Sequence, residues 1–118
     1  MVSVARLFPL PFTCQHEVYQ PGTKDAHGNT TPTWAAPIPR ACSWWPADTT
    51  EPATGPTGGD RVIADTTLVL DSTVTVDHRD RFLLDGRRHE VVGIPKDYNH
   101  GPYGITPDRI VVQLKWVG

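Results

Sequence analysis

Cys14 and His16 stand two residues apart, a spacing that on a β-strand puts a thiol and an imidazole on one face. Such a pair can carry out nucleophilic chemistry when the imidazole takes the thiol proton. A core cysteine beside a partly buried histidine accounts for the same spacing more simply, and no catalytic residue is assigned. The five histidines, His16, His27, His78, His89 and His100, fall one per segment, without HxxxH, HxH or CxxC spacing. No single element therefore offers two metal ligands, and neither a metal nor a cofactor is expected. Asp71, Asp85, Asp97 and Asp108 sit in turn contexts, where aspartate bonds nearby backbone N–H groups, so a glycosidase-type carboxylate pair cannot be argued. Gly55-Pro56-Thr57-Gly58-Gly59 lacks the Gly-Lys-Ser/Thr ending and the following helix of a phosphate loop.

Trp44 and Trp45 offer contact rather than catalysis. Adjacent residues of a strand point to opposite faces, so one of the two rings faces outward unless a neighbouring loop folds over it. Trp44, Trp45, Tyr98, Tyr103, Arg87 and Arg88 are the candidate interface residues, because aromatic and arginine side chains dominate contact energetics.

The elements that must position these residues are strands. Phe12 to Tyr19 alternates, with Phe12, Cys14, His16 and Val18 on one face and Thr13, Gln15, Glu17 and Tyr19 on the other; the Cys14 face is expected inside. A polar loop over 21–33 leads to a strand through Ala41-Cys42-Ser43-Trp44-Trp45, forming a long hairpin with the first strand. Residues 46–60, PADTTEPATGPTGGD, contain no apolar side chain larger than alanine and predict a mobile loop. Its charged residues are Asp48, Glu51 and Asp60, with no Lys or Arg, so it is locally acidic. Arg61 to Leu70 resumes as a strand with Val62, Ala64, Thr66, Leu68 and Leu70 on one face, and Thr73-Val74-Thr75-Val76 predicts a short one. Asp85-Gly86 between Phe82-Leu83-Leu84 and Val91-Val92-Gly93-Ile94 predicts a tight β-hairpin, since Asp-Gly tolerates positive φ. An irregular loop with two tyrosines follows Pro95. Ile110 to Val117 closes the chain as a strand with Val112, Leu114 and Trp116 on one face.

About six or seven short strands with turn signals between them predict an all-β fold, a small antiparallel β-barrel with long loops. At 118 residues a single domain is expected, and 12 prolines with 10 glycines argue for turns over helices. The net charge of −2 disfavours tight, sequence-independent nucleic-acid binding. Arg79, Arg81, Arg87 and Arg88 interleave with Asp77, Asp80, Asp85 and Glu90, which reads as a solvated, salt-bridged hairpin surface. Cys14 and Cys42 are expected as buried free thiols. MVSVARLFPLPF is too short and proline-broken for a signal segment, and no run approaches a membrane span of about 18 apolar residues. A soluble protein made in the cytoplasm is expected, with no membrane partner.

The stretch RFLLDGRRHEVVGIPKDYNHGPYGITPDRIVVQLKWV, the last third of the chain, resembles the C-terminal half of tailed-phage head-to-tail stopper proteins, also called head-closure or head-completion proteins. The shared pattern is a strand, a DG turn, an aromatic-or-His/Glu-Val-Val-Gly segment, Pro-x-Asp-aromatic, a Gly-Pro loop and a terminal strand of the Val-x-Leu type. The resemblance implies a virion neck protein, a ring of β-barrels below the portal-adaptor complex that closes the DNA channel and receives the tail terminator or tail tube protein. Packaged DNA then passes without tight binding, and a long loop does the gating. By position and composition that loop is 46–60, with Asp48, Glu51, Gly55, Gly58, Gly59 and Asp60 as gating candidates and 21–33 as a second contact loop. The competing expectation is a small β-barrel ligand-binding module that uses Trp44 or Trp45 with Tyr98 and Tyr103 as its platform.

Overall fold

The Asp85-Gly86 pair makes the turn its composition demands: both residues have positive φ, 53° and 77°, the pairing that a two-residue hairpin needs. A computed structural model describes residues 2–22, 27–28, 31–51 and 61–117. Its strands are β1 (Val2–Ser3), β2 (Phe12–Glu17), β3 (Tyr19–Gln20), β4 (Thr33–Trp34), β5 (Ile38–Glu51), β6 (Arg61–Asp71), β7 (Arg81–Leu84), β8 (Arg87–Asp97), β9 (Ile105–Thr106) and β10 (Arg109–Trp116). A closed six-stranded antiparallel barrel runs in the order β10-β6-β5-β2-β7-β8, with two-stranded additions β1-β9 and β3-β4. The all-β barrel expected from the sequence is what forms. Closure places β6 across the barrel from β7, and β5 across from β8.

Alternation decides what fills the interior. Cys14, Cys42, Leu68, Leu70, Phe82, Leu84, Val112 and Leu114 are all buried, and Trp44, Val74, Val76 and Val91 pack against them. Each fully buried Leu or Phe contributes about 1.5–3 kcal/mol relative to exposure. Both cysteines are free thiols inside this core. Cys14 donates to Cys42, and that bond first, with burial second, pushes the Cys14 thiol up.

Three expectations are corrected. Thr73–Val76 forms no strand; Asp71 accepts from the Thr73 N–H at 2.9 Å and closes a turn there instead. The first strand breaks at Val18, and the loop predicted over 21–33 gives up Thr33 to β4, which pairs back onto β3 through Tyr19↔Trp34. Most consequentially, residues 46–51 are not loop. They continue β5, paired to β6 through Pro46↔Thr66, Thr49↔Ala64 and Glu51↔Arg61. The remainder of that expected loop, 52–60, lies outside the described residues.

The two strands outrun the barrel. β2 pairs with β5 only as far as Cys42, and β10 pairs with β6 only from Thr66 to Asp71. Past Pro46 and Thr66 the strand ladder continues only between these two, so they form a two-stranded ribbon that reaches about 15–20 Å at about 3.3 Å per residue, tied at its root by the Trp116 N–H, which donates to Asp65 at 3.1 Å. Register shifts between Pro46 and Thr50 put Ala47 and Asp48 opposite Asp65 alone, a bulge that twists the ribbon at its root. A further bulge lies in β8, where Gly93, Ile94 and Pro95 stand opposite Val112 alone. Gly93 takes φ 75° there, and Ile94 is 84% exposed.

Candidate functional site

Outward-facing residues of β5, β6 and β10 line up across the sheet: Ser43 opposes Val69, and Val69 opposes Val111. Trp45, two residues on from Ser43, shares its outward face. The segment before β2 crosses this surface. Arg109 holds it there, donating from Nε to the Phe8 carbonyl at 3.0 Å and from Nη2 to the Ala5 carbonyl at 3.3 Å, while Nη1 pairs with Asp71 at 3.4 Å. The Val4 N–H donates to the Thr106 carbonyl at 2.7 Å, and the Ser3 hydroxyl donates to Asp108. A 3-10 turn at Ala5–Leu7 then presents Leu7 and Phe8 beside Trp45.

Two adjoining apolar hollows result, of about 290 and 270 Å³, sharing Phe8, Trp45 and Val69 as their common wall. Leu7, Pro9 and Pro11 complete the first; Tyr98, Pro107 and Val111 complete the second. Phe8, Trp45 and Tyr98 remain 48%, 44% and 56% exposed, so three aromatic rings stand open on one face of the barrel. Exposed apolar surface gathered in this way marks contact sites far better than isolated side chains do.

Of the predicted interface residues, the structure brings Trp45 and Tyr98 together in this groove. Trp44 faces the other way and packs against the core, so the tryptophan pair divides between inside and outside as alternation requires. Tyr103 is exposed on the loop after β8 and lines neither hollow. Arg87 is exposed at the hairpin turn, and Arg88 donates to Glu17 at 3.1 Å. Asp48 is exposed in the ribbon bulge, Glu51 ends β5, and Gly55, Gly58, Gly59 and Asp60 lie outside the described residues.

Sequence reasoning missed Leu7 and Phe8; the apolar LFPLPF run carried that signal, since prolines leave its side chains without a regular sheet to enter. It also misplaced Asp80, which was expected on a solvated surface. Asp80 is 1% exposed. Its carboxylate accepts from His16 Nε2 at 2.7 Å, from the Tyr19 N–H at 2.8 Å and from the Asp77 N–H at 3.0 Å. Arg40 donates to His16 Nδ1 at 3.3 Å, which leaves the hydrogen on Nε2 for Asp80, and the imidazole stacks on Phe82 at 4.5 Å. Cys14 and His16 do share a face, but both are enclosed, and His16 is engaged on both nitrogens. The arrangement ties three segments of backbone to one carboxylate.

The rest of the arginine cluster is aromatic-stacked rather than merely salt-bridged. Arg79 lies 4.2 Å from the Tyr19 ring centre and pairs with Asp77 at 3.0 Å; Arg81 lies 3.2 Å over Trp34. Those bonds from Arg79 hold the Asp77 carboxyl down at about 2. Together with Pro32, His78, Glu90 and Val91 they border a polar hollow of about 400 Å³ on the β7 side, across the barrel from the apolar groove. Among the described residues no group of three or more His, Cys, Asp or Glu converges as a metal site, and no helix is long and apolar enough to cross a membrane.

No family model and no curated protein matches the chain. What the geometry defines is a small closed β-barrel carrying an apolar aromatic groove, an opposed polar hollow and a projecting ribbon.

Proposed function

We propose that this chain is a structural protein of a tailed-phage neck, a head-to-tail stopper that assembles as a ring below the portal-adaptor complex, closes the DNA exit channel and offers the tail its docking surface. The observation that carries the reading is the β5–β6 ribbon. It leaves the barrel where the resemblance requires a channel-directed element, and its described residues carry Asp48, Glu51 and Asp65 against the single cation Arg61, which stands opposite Glu51. Like charge keeps DNA phosphates from adhering to such an arm while it narrows a channel. The groove around Trp45 and Tyr98 then serves subunit or tail contact, and a ring needs such patches because head-to-tail association joins two different surfaces. The deciding experiment is an image of the intact particle at a resolution that separates strands. A ring of six-stranded barrels between portal and tail, each sending its ribbon toward the axis, is the expected result; absence of this chain from purified particles overturns the reading.

The groove itself favours a second reading, a barrel that binds a ligand on Phe8, Trp45 and Tyr98. Saturable binding of an oligosaccharide or oligonucleotide, lost in Trp45→Ala, would support that reading in place of the first.

A further inference from the structure

We propose that the hollow beside Trp34 is a carboxylate-binding site, with Arg81 receiving an acidic side chain from another protein chain. Arg81 stands on β7 between two carboxylate-bearing neighbours, opposite Glu17 on β2 and opposite Glu90 on β8. Neither reaches it. Glu17 is taken by Arg88 at 3.1 Å, and among the described residues Arg81 forms no ion pair at all. Its Nε–H is enclosed and has no acceptor. The contrast with Arg79 is direct, because the charge of Arg79 is already met by Asp77 at 3.0 Å.

Trp34 holds Arg81 ready. The guanidinium carbon sits 3.2 Å over the indole centre, and the indole is itself fixed by donating from Nε1 to the Arg79 carbonyl at 2.9 Å. A stacked guanidinium keeps its N–H donors in its own plane, where a carboxylate can meet two of them at once. The remaining walls, Pro32 and Val91, suit the methylene stem of an acidic side chain. A nucleic acid fits less well. Glu90 borders the hollow and Asp77 and Glu17 lie close by, so a run of phosphates would bring several charges against them, whereas a single carboxylate need bring one, to Arg81. This site stands whether or not the neck reading does, because it rests on Arg81 and its neighbours alone.

The test is titration of the full ¹⁵N-labelled chain with N-acetylglutamate at fixed ionic strength, following the Arg81 Nε–H and Trp34 Nε1–H resonances. Saturable shifts are expected at both, with affinity falling about tenfold or more in Arg81→Gln, the loss of a charge-assisted bond. Arg81→Lys keeps the charge and loses the planar fork, so it should bind more weakly than wild type while folding normally. Unsaturable drift, equal affinity in wild type and Arg81→Gln, or tighter binding of inorganic phosphate than of N-acetylglutamate each overturns the proposal. Sedimentation of the full chain separates the sources of the carboxylate: loss of self-association in Arg81→Gln assigns it to a second copy, and self-association equal in wild type and Arg81→Gln, with N-acetylglutamate bound by wild type alone, assigns it to a different protein.

Discussion

Replacing Asp80 by alanine should unfold this barrel more effectively than any other single exchange of a polar side chain. The carboxylate is 1% exposed and is the acceptor for three donors: His16 Nε2, the Tyr19 N–H and the Asp77 N–H. Leaving one buried donor without a partner costs about 1–3 kcal/mol, and breaking a buried polar pair from one side costs about 3–5 kcal/mol. Because the three donors relax together, the expected loss for Asp80→Ala is about 3–5 kcal/mol, a large part of the 5–15 kcal/mol that holds a typical domain together. Asp80→Asn is the discriminating variant. Its one carboxamide oxygen can take the place of Oδ2 and keep His16 and Asp77, but its NH₂ then faces the Tyr19 N–H, so the expected loss is smaller, about 1–3 kcal/mol. Urea denaturation followed by tryptophan fluorescence and circular dichroism measures both, with an unchanged denaturant slope as the check that only stability moved. Hydrogen exchange should show the Tyr19 amide losing protection in Asp80→Asn before the β10 amides do. If Asp80→Ala lies within about 1 kcal/mol of wild type, or Asp80→Asn is as damaging as Asp80→Ala, the assignment of this carboxylate as the tie between β2, β3 and the β7 approach is wrong.

Three further expectations test separate parts of the molecule. Arg109→Gln removes the clamp on the N-terminal segment, so the Leu7 and Phe8 amides should exchange much faster, with at most about 2 kcal/mol lost globally, because most of what Arg109 bonds is carbonyl at the surface; unchanged exchange would refute the clamp. Gly86→Ala should cost about 1–2 kcal/mol in thermal denaturation, since Gly86 holds φ 77° while an added Cβ would meet no atom, leaving backbone strain as the cost; a neutral result would mean the turn readily changes type. The Asp77 carboxyl is depressed from 3.8 to about 2 by Arg79, so its contribution is complete above the unfolded value and is lost as pH falls through about 2. In Arg79→Gln its titration midpoint, read by NMR, should rise toward the ordinary aspartate range, and no rise would remove Arg79 as the cause.

What the sequence made legible was whatever depends on neighbours along the chain. The Asp85-Gly86 turn, the alternation of Leu68 and Leu70 or of Val112 and Leu114, and the division of Trp44 from Trp45 each need only a few consecutive residues to specify them. The apolar groove is not of this kind. Trp45 and Tyr98 meet only because closure sets β10 between β6 and β8, and because the β8 bulge at Gly93–Pro95 carries the chain on to Tyr98 with its register shifted. Asp80 fails for the same reason: in HRDRF it looks like one more surface charge, yet its partner His16 lies 64 residues away and no local pattern announces that pairing.

The ribbon shows a different limit, in which composition misled. Residues 46–60 predict a mobile loop because the stretch has no apolar side chain larger than alanine and so little surface to bury against its ordering entropy. A two-stranded ribbon that leaves a barrel needs few apolar side chains, and here the buried one near its root is the small Ala64 of the facing strand. Its β5 edge has no partner on one side beyond Cys42, and proline is tolerated at an edge where its missing N–H leaves no bond unmade. Threonine, β-branched, favours the extended backbone without demanding a core. The absence of apolar side chains is therefore the signature of an exposed strand as much as of a loop, and the two differ only in whether a second strand of matching reach follows. Here it does, from Arg61 to Ala64. The acidic residues of β5 are consequently not scattered along a tether but fixed on a directed arm, with Asp48 held in its bulge at a set distance from the barrel. An arm of that kind can place charge at a chosen point in an assembly, which a flexible loop of the same composition could not.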